Sequence, residues 1–329
     1  MSFDFEKDIL IWSNRAISRL GYKPSGKCEA SYRLSQVFNI LRNRIPPTPR
    51  AVEVAKGFNC PQSRINGYKQ VVSEIERGDD LTPRCSRRQA KKTNYIDPML
   101  LDWGIHHIHL GTKEILTGKN KGLIQGHKEI LFAFITDEKA HIIGVFDHTS
   151  WAKKSVLKIV YNNWPHLLEP WRLKRDLELS REPADADIRS LREAYINSLI
   201  KIGNDIYLGP GGGITTAGTG LNETHKSNMV LRAADDLRDW VNENINSIEK
   251  HIKSKLGPLS FDVSRYILSN KFSISAPRNN LRIFIPSTSP VASLIHPAQA
   301  SSVEPIAENY HYHNPGSFSG IMIKKLVAT

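Results

Sequence analysis

Apolar residues recur at helical spacing over residues 4–20, where Ile9, Trp12, Ala16, Ile17 and Leu20 form one stripe and Gly21 ends it. A second stripe, Tyr32, Leu34, Val37, Phe38 and Leu41, predicts a helix over 29–44. The run Ile45-Pro-Pro-Thr-Pro-Arg50 breaks it, because proline removes an amide donor and restricts the residue before it. A third helix is expected from about Pro61 to Arg77, with proline at its start and Gly78 after its end. From Trp103 the pattern changes to alternation. It predicts strands at about 104–110, 129–136 and 140–147, the last two joined by the turn Thr136-Asp-Glu-Lys139. Ser150 then caps a helix running to about Asn162.

The second half is less regular. Residues 171–202 read as a charged helix, followed by a glycine-rich run from Gly209 to Gly220 and a long amphipathic helix ending near Leu256. The tail from Gly257 is richer in strand formers, as in Leu281-Arg-Ile-Phe-Ile285, and 286–305 is expected to be irregular. The pattern implies an α+β protein in four regions. These are a basic helical region (1–97), a small antiparallel sheet domain (98–165), a helical segment with the glycine-rich loop (166–256) and a mixed helical and β C-terminal part (257–329).

Charge changes this picture more than composition does. The chain has 329 residues and a formal net charge of +12. Residues 1–100 hold 18 Lys/Arg against 10 Asp/Glu, so two thirds of the surplus lies in the first third of the sequence. A basic region attached to a near-neutral remainder points to a polyanionic partner, and RNA or another nucleic acid is the expected one. No apolar run approaches the roughly 20 residues that a membrane helix needs, so no membrane association is expected. The N-terminus lacks a secretory apolar region, and Cys28, Cys60 and Cys85 form no CxxC pair. A reducing cytoplasm is the expected compartment.

Candidate chemistry concentrates in Asp102-Trp-Gly-Ile-His-His-Ile-His-Leu110. On a strand, His107 and His109 share one face while His106 joins Ile108 and Leu110 on the other. Two imidazoles side by side are an acid/base pair, a metal-ligand pair or hydrogen-bonded structural residues at a sheet edge. His148 ends the third strand, and Lys113 and Lys128 lie in the long polar loop 111–128. RNA cleavage without metal needs a base for the 2′-hydroxyl proton, an acid for the leaving oxygen and a cation for the phosphorane, roles that histidine and lysine fill near neutral pH. The cluster Arg84-Cys-Ser-Arg-Arg-Gln-Ala-Lys-Lys92 brings Arg84, Arg87, Arg88, Lys91 and Lys92 together. With Arg42, Arg44 and Arg50 it forms a candidate phosphate-binding set. The glycine-rich run lacks both the GxxxxGK[ST] and the GxGxxG pattern, which leaves a turn-forming loop or a weak backbone anion site.

The order helix, helix, strand, long loop, strand, tight turn, strand, helix resembles the RelE/HigB-type mRNA interferases over about residues 60–164. The resemblance is carried by Ile105-His-His-Ile-His-Leu110, Ile130-Leu-Phe-Ala-Phe-Ile135 and His141-Ile-Ile-Gly-Val-Phe-Asp-His148. It implies RNA cleavage by basic and histidine side chains on the sheet face, with a ribosome or antitoxin as partner. The chain is far longer than such a toxin and lacks its arginine-rich last strand; Lys153, Lys154 and Lys158 of the following helix stand there instead. The expected function is therefore a metal-independent endoribonuclease of bacterial toxin or phage-defence type, without cofactor. His107, His109 and His148 would be its catalytic histidines, and Lys113 and Lys128 its phosphate stabilisers. The alternatives are a non-catalytic nucleic-acid-binding or regulatory protein and a His-ligated metallohydrolase.

Overall fold

The computed structural model describes residues 5–173, 178–256, 265–267, 273–276, 281–284 and 322–325. The protein is α+β, and its chain divides into two compact units, residues 39–224 and residues 1–38 with 225–329. The second of these contains α1 (Phe5–Arg19), the first part of α2 (Ala30–Asn43) and most of α7 (Leu221–Leu256). It also contains an antiparallel sheet of β7 (Arg265–Ile267), β8 (Ser273–Ala276), β9 (Leu281–Phe284) and β10 (Met322–Lys325). The buried residues Ile9 and Ile17 of α1, and Leu34 and Val37 of α2, belong to the stripes that periodicity predicts. The 286–305 segment and the pair His311 and His313 lie outside the described residues.

The 39–224 unit is built on a four-stranded sheet. Its order is β1 (Ala51–Val54), β4 (Lys139–Asp147), β3 (Glu129–Ile135) and β2 (Ile105–His109). The β2–β3–β4 meander is antiparallel, with His107 opposite Phe132 and His109 opposite Ile130. β1 departs from the expected all-antiparallel sheet. It joins the free edge of β4 in parallel, Ala51 against Lys139, through a pairing 88 residues distant in sequence that local pattern does not signal. Both faces of the sheet are covered, which is why β3 reads Ile-Leu-Phe-Ala-Phe-Ile without alternation. On one face Ile105, Ile130, Phe132 and Ile143 pack with Val156, Leu157 and Val160 of α5 (Lys154–Asn163). On the other, Ile108, Leu131, Ala133 and Ile142 pack with Val71 and Ile75 of α3 (Ile65–Arg77). A β-bulge between β3 and β4 at Phe132/Ala133 places Ile143 on the first face.

Two close approaches fix β2. A Cβ on Gly67 of α3 would stand 1.8 Å from the carbonyl oxygen of Leu110, so only glycine lets the helix sit against the end of this strand. At its other end β2 follows α4 (Pro98–Trp103) through Gly104, whose φ of 71° closes the helix. The glycine-rich run seats on the end of α4. The Gly211 amide donates to the Asp102 carbonyl at 2.8 Å, and the Gly213 amide donates to that of Leu101 at 2.8 Å. A Cβ on Gly211 would lie 2.3 Å from the Leu101 oxygen. The run thus satisfies carbonyls that the short helix leaves open.

The expected helix over 171–202 is largely absent among the described residues. Only α6 (Asp185–Glu193) forms there, and residues 174–177 are not described. Proline at 170 and 183 interrupts the pattern. Downstream, β5 (Ile200–Ile202) and β6 (Asp205–Tyr207) make a hairpin about Gly203-Asn204, a two-residue turn pair with Gly203 at φ 62°. Among the described residues no helix is long and apolar enough to cross a membrane.

Candidate active site

A cavity of about 600 Å³ opens over the face of β2 and β3 that carries His107, His109, Ile130 and Phe132. Its walls come from 85–88, 95–99, 123–124, 126–127 and the residues His148 and Trp151. The 111–128 segment, read as a long polar loop, is folded back on itself. The Ile115 amide donates to the Leu123 carbonyl at 2.8 Å, and the Gln125 amide donates to that of Lys113 at 2.9 Å. The Ile124 amide also donates to the Pro83 carbonyl at 2.8 Å, which ties this wall to the basic segment.

Strand alternation places His107 and His109 together, as the sequence predicts, with ring centroids 6.3 Å apart. His148 completes the row at 5.6 Å from His109. A turn organised by Asp147 holds it there: this carboxylate accepts from the Thr149 amide (2.8 Å) and from the hydroxyls of Thr149 (2.6 Å) and Ser150 (3.0 Å). The His148 Nδ1 lies 3.0 Å from the Lys128 carbonyl, a contact that favours a proton on that nitrogen.

Behind His107 stands Asp97, which the sequence reading missed. Its Oδ2 is 2.9 Å from His107 Nδ1; Asp97 is buried and His107 half-buried. The same carboxylate caps α4 by accepting from the amides of Met99 and Leu100, each at 3.1 Å. Burial opposes charge on both groups, but the pair outweighs it. His107 is held above the ordinary imidazole value by Asp97, and Asp97 is held below the usual carboxylate range by His107 and the helix amide. With Nδ1 engaged, Nε2 is the nitrogen His107 can offer to a ligand.

His109 is the opposite case. It is buried, its Nδ1 has no hydrogen-bond partner, and burial together with the charges of His107, His148, Arg87 and His127 pushes its pKa down to about 4. The cavity therefore holds one histidine biased toward its charged form beside one biased toward its neutral form. His106, on the other face, is likewise neutral, pushed by burial to about 3.

The candidate cations separate into two groups. Arg87 and Arg88 are exposed and line the cavity. Arg84 belongs to the scaffold. It is buried, donates twice to the Glu74 carboxylate, and donates to the carbonyls of His109 (3.0 Å) and Gly111 (2.9 Å). Arg50 donates to the carbonyls of Thr136, Pro46 and Thr48, and Arg42 to those of Gly211 and Leu100. Arg44 is half-buried. Arg84, Arg50 and Arg42 are engaged with the backbone, because guanidinium groups finish carbonyls that loops leave open. Lys92 is exposed outside the cavity, and Lys91 bonds Asn120 Oδ1 at 2.7 Å, joining the two walls. Lys113 and Lys128 are exposed and do not line the cavity. His127, Tyr95 and Trp151 do, and the sequence reading assigned none of them a role.

Among the described residues no group of three or more His, Cys, Asp or Glu side chains is arranged to hold a metal ion. Burial raises the thiol of Cys85, in the wall, to about 12, which disfavours the thiolate that a nucleophilic cysteine uses. No known protein family, characterised protein or solved structure matches this chain.

Proposed function

We propose that the cavity cleaves RNA without a metal ion, by transfer to the 2′-hydroxyl. The observation that carries this reading is the oppositely biased histidine pair: His107, backed by the buried Asp97, beside the unpartnered His109. His109 takes the 2′-hydroxyl proton as the 2′-oxygen attacks phosphorus. The bond from phosphorus to the 5′-oxygen breaks, and that oxygen takes a proton from His107. The products are a 2′,3′-cyclic phosphate and a 5′-hydroxyl. Arg87 and Arg88, which line the same cavity, would meet the phosphorane charge, and His148 adds a third imidazole beside His109. The basic first third of the chain supports a nucleic-acid partner. Its resemblance to the mRNA interferases supports a toxin or phage-defence role, with an antitoxin or the ribosome as further partner.

The test is incubation of total RNA and of single- and double-stranded DNA with the purified protein and with a His107→Ala/His109→Ala double variant, each with and without EDTA. The expected result is EDTA-resistant cleavage of RNA alone, leaving cyclic phosphate ends and lost in the folded variant. Full activity in the variant overturns the assignment. Chelator sensitivity returns the metallohydrolase reading, and binding without cleavage returns the non-catalytic one.

A further inference from the structure

The cavity is larger and more apolar than a phosphate requires. Arg87, Arg88 and the histidines supply only part of its wall. Much of the remainder is apolar or aromatic, with Tyr95, Met99, Ile124, Ile130, Phe132 and Trp151 among the lining residues. Phe132 is stacked on Phe146 at 4.8 Å, and Trp151 is steadied by Arg189 and Arg192 at 5.9 and 5.6 Å from its ring, so two of the aromatic members are fixed in place. Tyr95 and Trp151 are partly exposed. A cavity that combines charged side chains with aromatic and apolar ones suits an anion attached to a flat, weakly polar body.

We infer that the recess takes one unpaired nucleobase, so the substrate class of this site is single-stranded RNA with a base turned out into the protein. The inference rests on the cleavage reading above for its phosphate end and on the apolar wall for its base end. A base in a duplex is stacked on both sides and cannot enter a recess of this kind, whereas an unstacked base can lie against aromatic faces.

Calorimetric titration of the full-length protein separates the two ends. The probes are inorganic phosphate, ribose 5-phosphate, and adenosine and uridine 3′-monophosphates. The nucleotides are expected to bind about 10–100-fold more tightly than phosphate or ribose phosphate, the range that one base on an aromatic platform confers. Tyr95→Ala and Ile124→Ser are expected to remove that advantage while leaving the affinity for inorganic phosphate unchanged, which reports an intact fold. In the same way a non-cleavable 2′-O-methyl 12-mer should bind as a single strand and not as a duplex. Equal affinity for nucleotides and phosphate, equal affinity for single strand and duplex, or no binding of any probe overturns the inference. Preferential nucleotide binding by a protein that cleaves no RNA keeps this inference and removes the cleavage reading. Metal-independent cleavage with no contribution from the base does the reverse.

Discussion

Replacing Asp97 by asparagine tests the acid assignment most directly. Asparagine is among the best helix caps, so it can keep accepting from the Met99 and Leu100 amides and preserve α4. What it removes is the negative charge 2.9 Å from His107 Nδ1. An opposite charge at such range moves a pKa by about 1–3 pH units. Burial, which already disfavours the imidazolium, is then unopposed, and His107 passes from above its ordinary value to below it. The profile of kcat/KM against pH should rise near pH 4 as His109 loses its proton and fall on the alkaline side as His107 does. In Asp97→Asn the alkaline limb should move to lower pH by about 1–3 pH units. At any pH above both positions the rate should then drop by about 10–1000-fold, tenfold per unit. The acid limb should move slightly upward, because His107 no longer places a full charge beside His109. Stability follows the same linkage. A raised histidine pKa stabilises the fold below its unfolded value, and that contribution is lost as pH rises through the folded one. The stability difference between the natural protein and the variant should therefore shrink toward high pH. Histidine ring NMR across pH 4–9 supplies the assay independent of turnover. An alkaline limb that stays in place, or a loss equal at every pH, would refute the Asp97–His107 acid.

Other consequences can be measured on the same preparation. Arg84→Met leaves Glu74 and two loop carbonyls unmet and should cost about 3–5 kcal/mol in urea unfolding. By contrast Arg87→Ala, at an exposed position, should change stability by less than about 0.5 kcal/mol while weakening phosphate binding. Asp102 and Arg192 are both buried and 2.8 Å apart, with Arg192 lying 3.9 Å over the Trp103 ring. Asp102→Asn or Arg192→Met alone should each cost about 3–5 kcal/mol, and the double substitution clearly less than the sum; additive costs would mean that the pair is not coupled. Gly67→Ala should lower the unfolding midpoint by the equivalent of about 1–3 kcal/mol and loosen the end of β2, read as faster amide exchange at His109; an unchanged protein would contradict the contact with Leu110.

Much of this arrangement is legible in the sequence because it is local. Alternation alone puts His107 and His109 on one face and His106 on the other, and the tight turn at 136–139 sets β3 against β4. The short edge strand β1 escapes, since nothing in Ala51–Val54 signals a parallel partner 88 residues away. Asp97 escapes for a different reason. The run Ile96-Asp97-Pro98 is a legible helix start, but α4 has only six residues and merges at once into a strand, so no apolar period forms to draw attention to its cap. The role of that cap in holding His107 is a tertiary fact. His127 and Trp151 enter the cavity from segments distant in sequence, and only folding brings them there.

The basic charge is the instructive failure. A count of cations along 42–92 treats Arg42, Arg50, Arg84, Arg87 and Arg88 alike, as one phosphate-binding surface. Burial divides them. Three are spent on carbonyls of the Pro-rich turn, the glycine-rich run and the end of β2, where a loop-rich scaffold leaves acceptors open and arginine's five donors close several at once. Only Arg87 and Arg88 stay exposed on the cavity wall. The two uses are linked, because Arg84 grips the His109 carbonyl from within the scaffold while Arg87, three residues on, faces the His109 ring's cavity. One short segment thus both fixes the backbone of His109 and supplies charge beside its ring. Net charge raises the expectation of a polyanionic partner; which arginines could meet one depends on those the backbone has already claimed.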